Sequence, residues 1–294
     1  MSAAHVSGDA VATRVAVVTD STAYLPTQVV ADLGVTVVPL QVVVAGRSHD
    51  EGSQIDPRAV AAALRSWRPV TTSRPNPQSF LDAYAQLAAD GATAIVSLHI
   101  SSQMSGTYES AVLAARDAPV PVQVVDSRSL GMGLGFLVVE AAASAARGDT
   151  AEQIAHAARQ RAAVTRAWFY VATLEHLRRG GRIGAAAALL GSALSIKPLL
   201  LLDDGHIAPL EKVRTSSRAV ARLEELAVAA AGRGPAEVAV QHLDAAAAAA
   251  SLADRLGQAL GRRVVVGEVG AVVGAHVGPG MLAVVVSPIL APVD

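Results

Sequence analysis

Hydroxyl side chains gather in one stretch of the chain, where Ser101, Ser102, Ser105, Thr107 and Ser110 surround Gly106. Before them the apolar run Ala94-Ile95-Val96, continuing to Leu98 and Ile100, has the pattern of a buried strand. After them Tyr108-Glu109 leads into Ala111-Val112-Leu113-Ala114-Ala115, a helix by propensity. A strand that ends in a hydroxyl-rich loop and then a helix start offers free backbone N–H groups, a dipole favouring negative charge and neutral side-chain donors. One serine in such a place is a cap or a turn former. Five around a glycine point to an anion site.

A second hydroxyl cluster, Thr71-Thr72-Ser73, lies between Pro69 and Pro75, and reads as a proline-stiffened loop. A third polar group, Thr19-Asp20-Ser21-Thr22, follows the run Val15-Ala16-Val17-Val18. Asp20 thus sits at the carboxyl end of a strand, where open α/β sheets place ligand groups; a cap or loop brace is the alternative.

Other chemistries find less support. No G-x-S-x-G elbow is present, and Ser105 has no histidine close by in sequence. The eight histidines are scattered without HxH or HExxH spacing. Gly131-Met132-Gly133-Leu134-Gly135 only superficially resembles a dinucleotide fingerprint, because its third glycine falls one position early. Cysteine is absent, which excludes disulfides and thiol chemistry and suits a cytoplasmic protein.

The elements that must position these groups alternate between strand and helix. Gln28–Leu33 is a short helix closed by Gly34, and Val35–Val44 reads as one apolar strand. Residues 46–58 form a loop that opens the helix Arg58–Arg65, and Pro77 starts another that ends near Ala89. Val122–Val125 is a strand, followed by helices over Phe136–Arg147 and Thr150–Arg166. Trp168-Phe169-Tyr170-Val171 begins a second block, which puts a boundary near 165. Residues 1–13 are a disordered lead-in, 14–165 an N-terminal α/β domain and 166–294 a smaller, mixed α/β domain. In the second block an apolar helix covers Ala185–Leu194, a strand covers Ile196–Leu202, and a hairpin turn falls at Asp203-Asp204-Gly205.

At 294 residues, with 52% hydrophobic and 17% charged, the chain can bury a large core. A net charge of -1 argues against a broad nucleic-acid face. No apolar run reaches the roughly 18–20 residues of a membrane span, and the N-terminus lacks the pattern of a secretory signal.

Four blocks together resemble the DegV family of bacterial fatty-acid-binding proteins. They are VVTDSTAYLP (17–26); TTSRP (71–75) with ISSQMSGTY (100–108); LRRGGRIG (177–184) with IKPLL and KVRT (196–215); and GAHVGPG (274–280). Arg74 stands where the family's TSQP has glutamine. The resemblance implies two α/β domains, the first mostly parallel, with a long-chain fatty acid such as palmitate buried between or within them. It implies that the carboxylate is held by Thr71 or Thr72 and by Ser102, with Ser101 and Ser105 as neighbours and Asp20 and Ser21 as loop supports. It further implies a carrier without cofactor or metal, which presents the carboxylate to a separate fatty acid kinase that makes acyl phosphate. Arg182, Arg214 and His276 would then lie at the mouth and meet the kinase or its phosphate.

The residues themselves agree with a carrier, since neutral donors suit a carboxylate at the end of an apolar tunnel better than an uncompensated buried cation does. The rival is an enzyme subunit of acyl or phosphoryl transfer using Asp20, His276 and the 101–107 hydroxyl loop. The absence of a Gly-Lys-Ser/Thr phosphate loop weighs against it.

Overall fold

The computed structural model describes residues 14–189 and 197–291. The lead-in at 1–13 and the end of the expected apolar helix at 190–194 lie outside the described residues. Three sheets organise the rest. The first is parallel, in the order β2-β1-β6-β7, with β1 (Val15–Asp20), β2 (Thr36–Val38), β6 (Ala94–His99) and β7 (Val122–Asp126). Its strands are apolar because helices cover them: α3 (Pro77–Ala89) and α4 (Thr107–Ala115) on one face, α5 (Met132–Arg147) and α6 (Ala151–Val164) on the other. Thr150 and Gln153 close a capping box at the start of α6.

The expected strand over Val35–Val44 is two strands in two sheets. Pro39 lies between them, and having no N–H it cannot continue a ladder. β2 stays in the parallel sheet, while β3 (Gln41–Val44) pairs antiparallel with β4 (Arg47–Asp50) and with β5 (Val70–Ser73). Both of those strands fall where the sequence reads as loop. Arg-Ser-His-Asp lacks apolar alternation because β4 is an edge strand, and the β-branched Val-Thr-Thr-Ser reads as loop because Pro69 and Pro75 flank it, although its ladder with β3 makes it a strand. Helix α2 (Pro57–Arg65) packs beside β5, while α1 (Thr27–Leu33) lies against α5.

From β8 (Arg166–Tyr170) onward the strands enter a mixed six-stranded sheet, ordered β10-β9-β8-β13-β11-β12. Its other members are β9 (Lys197–Asp203), β10 (His206–Val213), β11 (Ala236–His242), β12 (Val264–Glu268) and β13 (Leu282–Pro288). One face packs on α8 (Ser216–Ala231) and α9 (Ala246–Leu260). The other meets the N-terminal part, with Met132 and Phe136 of α5 against Ala239 and Val285. Between β8 and β9 lie α7 (Glu175–Arg179) and a 3-10 turn over Gly184–Leu189, where the sequence suggests an α-helix. The short helix α10 (Ala271–Val277) packs against α2 and α7. No helix among the described residues is long and apolar enough to cross a membrane.

Candidate functional site

A cavity of about 280 Å3 opens where the three sheets meet. Its walls come from both parts of the chain: Leu40, Ile100, Met104 and Leu130 on one side, Leu177, Ile207, Val272, Val273 and Val277 on the other. Polar groups collect at Thr72, Ser73, Arg74, Ser105, Arg182 and His276. Beyond it lies an inner chamber of about 50 Å3, which shares Leu130, Ile207, Val273 and Val277 with the larger space. The void is apolar in depth and polar at one place.

That polar cluster is assembled across the whole chain. Alternation along β5 leaves Thr71 exposed and turns Thr72 inward, where its Oγ1 lies 2.8 Å from His276 Nε2. His276 projects from α10, and its Nδ1 is buried without a hydrogen-bond partner. The ring packs so closely on Gly180 that a Cβ there would stand 2.0 Å from Nδ1. Burial, aided by the nearby Arg182, lowers the His276 pKa to about 4, so the imidazole is neutral at pH 7. Arg182 donates through Nε to the Met104 carbonyl at 3.2 Å and through Nη1 to the Gly180 carbonyl at 2.7 Å, tying the basic loop to the hydroxyl loop. Arg74 lies over Gly106, and Ser105 Oγ is 2.8 Å from Thr107 Oγ1.

The hydroxyl loop is itself held from below. Asp20 accepts from the Ile100 N–H at 2.9 Å and from the Thr22 N–H at 3.0 Å. Its Oδ2 is 3.1 Å from His99 Nδ1, while His99 Nε2 is 2.7 Å from Ser97 Oγ. These contacts repeat the spacing of an Asp-His-Ser triad. All three side chains are fully buried, however, and Ser97 Oγ also accepts from Tyr84 OH at 2.9 Å. Neither Ser97 nor His99 lines the cavity; the constellation is a clasp between β1 and β6.

A second clasp sets α10. Glu51 Oε1 accepts from the Val272 N–H at 2.7 Å and from Tyr24 OH at 3.2 Å, while Oε2 accepts from Ser21 Oγ at 2.5 Å. Ser21 Oγ in turn accepts from the Leu40 N–H at 3.0 Å. Burial raises the pKa values of both Glu51 and Tyr24. A wall residue and the helix carrying His276 therefore hang on one carboxyl group.

The family model described as "Uncharacterised protein, DegV family" matches residues 14–288. The chain belongs to the DegV family. It is 55% identical over 276 residues to a DegV domain-containing protein of Streptomyces coelicolor, covering 93% of this chain and 98% of that protein. Among the solved structures that share the fold are two from other bacteria. One, described as showing fatty acid binding of a DegV family protein from Thermus thermophilus, is 34% identical with a TM-score of 0.89, covering 94% of this chain and 100% of that one. The other, DegV from Bacillus subtilis, described as a fatty acid binding protein, is 32% identical with a TM-score of 0.87 over 94% and 100%.

Within this DegV chain the residues singled out by sequence separate into four groups. Thr72, Ser105, Arg182 and His276 share the cavity. Ser101 and Ser102 face elsewhere: Ser101 Oγ donates to the Gly205 carbonyl at 2.9 Å, and Ser102 Oγ donates to Asp126 Oδ2 at 2.6 Å. Arg214 is exposed beyond β10 and is not part of the cavity wall. Asp20 and Ser21 act beneath the loops, as described above. Sequence reasoning missed Glu51, His99 and Gly180, whose partners are distant in the chain. For His99 a signal existed: a histidine at the end of a buried strand has to find a polar partner.

Proposed function

We propose that this protein binds one long-chain fatty acid, with the alkyl chain in the cavity and inner chamber and the carboxylate at the polar cluster. The observation that carries this reading is the one-ended polarity of the void, and the solved DegV structures described as fatty acid binding support it. Burying a methylene contributes roughly 0.8 kcal/mol, so a C16 chain gains on the order of 10 kcal/mol before the costs of association. Apolar contact then supplies most of the affinity, and the polar cluster fixes direction. With its proton on Nε2, neutral His276 donates to Thr72 Oγ1, which frees the Thr72 hydroxyl proton for a carboxylate oxygen. Ser105 is the second hydroxyl donor in this reading. Ser102 and Ser101 hold the loop, because Asp126 and Gly205 already engage them.

The same reading gives the bound carboxylate a purpose. It is presented to a separate kinase, whose nucleotide transfers a phosphoryl group to a carboxylate oxygen to form acyl phosphate. Arg182 and His276 would face that phosphate, and Arg214, on the outer surface, would serve docking.

Calorimetry on delipidated protein tests the binding step. We expect saturable binding of palmitate with one site per chain. Thr72→Val and Ser105→Ala should each weaken the acid about tenfold, as charge-assisted hydrogen bonds do, and leave the methyl ester little changed. Ser102→Ala should discriminate much less between the two ligands. Absence of saturable binding overturns the reading; equal losses for acid and ester overturn the assignment of hydroxyls.

A further inference from the structure

The inner chamber has one amide in its wall, Gln241 on β11, among side chains such as Phe169, Leu202, Val269, Met281 and Val285. Gln241 is 2% exposed. Its Oε1 accepts from the Met132 N–H, at the start of α5, at 2.8 Å. A backbone N–H can only donate, so the amide has one permitted orientation, with oxygen towards α5. Gly131 allows this approach, since a Cβ there would lie 2.3 Å from that oxygen, and its φ of 59° suits glycine. The NH2 is left over: Nε2 is buried with no hydrogen-bond partner. Buried donors are paired in nearly all folded proteins, and one left unpaired is costly.

We propose that Gln241 is a polar subsite at the inner end of the cavity, where Nε2–H donates to an oxygen carried on the acyl chain of a hydroxy or keto fatty acid. The inference rests on the fatty-acid reading above. A saturated chain offers Nε2 no acceptor, and the π face of a double bond is only a weak one. A hydroxyl or keto oxygen is a full acceptor of either origin. Because the surrounding wall is apolar, an oxygen elsewhere on the chain would be buried without a partner and penalised. Gln241 therefore reads the position of the oxygen as well as its presence.

The test is a positional scan with the full-length, delipidated protein. Octadecanoate competes against its monohydroxy and monoketo isomers, substituted at successive carbons. We expect one narrow range of positions to bind about tenfold tighter than octadecanoate, equivalent to about 1.4 kcal/mol, and isomers outside it to bind more weakly. Gln241→Met, of similar length but without the donor, should lose this preference and favour octadecanoate. Should that variant not fold, the wild-type scan decides by itself. If octadecanoate binds saturably but no isomer surpasses it, the subsite is refuted while fatty-acid binding stands. A preference that survives Gln241→Met also refutes it. If no acid binds, both readings fall.

Discussion

His276 concentrates the energetics of the site in one side chain. Its lowered pKa is a statement about stability as well as charge. The unfolded chain takes up a proton near pH 6.5, whereas the folded ring resists until about 4. Between these values the unfolded state binds more protons, so the His276 contribution is complete above pH 6.5 and is lost as pH falls towards 4. The difference amounts to about 3 kcal/mol. Burial lowers His176 and His242 in the same sense; they remain when His276 is replaced. We expect the stability of His276→Gln, followed by denaturant titration of the ligand-free protein, to fall less steeply than wild type between pH 6.5 and 4. Parallel curves would show that the folded ring is protonated near its ordinary pH. Thr72 carries a matching lesson about Thr71: the two are neighbours of one type, and only the strand's alternation separates them.

At the scale of elements, the site depends on how closely α7 and α10 approach. Gly180 at the end of α7 faces His276, and Gly278 at the end of α10 faces His176, where a Cβ would stand 2.2 Å from the ring. Each helix thus offers a glycine to the other's histidine. Gly180 has an ordinary φ of -75°, so its replacement tests contact rather than backbone strain. Gly180→Ala should destabilise by about 1–3 kcal/mol, as overpacked sites do, and should weaken fatty-acid binding by displacing the imidazole. In the His276→Ala background the same change should cost much less. A double-mutant cycle by thermal unfolding checks this, and additive losses would contradict the contact. Pro39 acts at the same scale: it ends β2, and Leu40 then enters the cavity wall on its way to β3.

For the whole molecule, the question is whether the two parts behave as one. Arg161 on α6 is 3% exposed and reaches across to the mixed sheet. It donates to Glu140 Oε2 at 2.7 Å, to Glu237 Oε2 at 2.5 Å and to Ser287 Oγ at 2.9 Å. Its guanidinium joins α5, α6, β11 and β13, and the apolar contact of α5 with that sheet runs alongside. We therefore expect one cooperative unfolding transition, with calorimetric and van't Hoff enthalpies in agreement. Glu140 and Glu237 are about one-third exposed and can rehydrate, so Arg161→Met should lower stability by about 2–3 kcal/mol, below the usual cost of breaking a fully buried pair. Two separate transitions in the wild-type protein would show that this interface does not couple the parts.

Much of this architecture was legible in the chain itself. The strand–helix alternation is a local property, written in continuous apolar runs and in helix starts such as Thr150 and Pro77, and it led to the α/β class. The four sequence blocks pointed to the DegV family because they lie at loop ends, where residue identity matters more than hydropathy. The strands β4 and β5 were not legible: β4 has no apolar alternation, and the β-branched β5 is masked by Pro69 and Pro75 until its pairing with β3 is known. Nor was the direction of any hydroxyl: Ser101, Ser102 and Ser105 are equivalent in sequence, and only tertiary contacts send two of them to Gly205 and Asp126. Thr72 and His276 are 204 residues apart, and no local rule pairs them. Sequence alone determined the strand–helix alternation and narrowed the candidates for an anion site to a few hydroxyl and basic residues. Which of them face one cavity was decided by packing three sheets together, because side-chain direction follows from partners that local sequence does not encode.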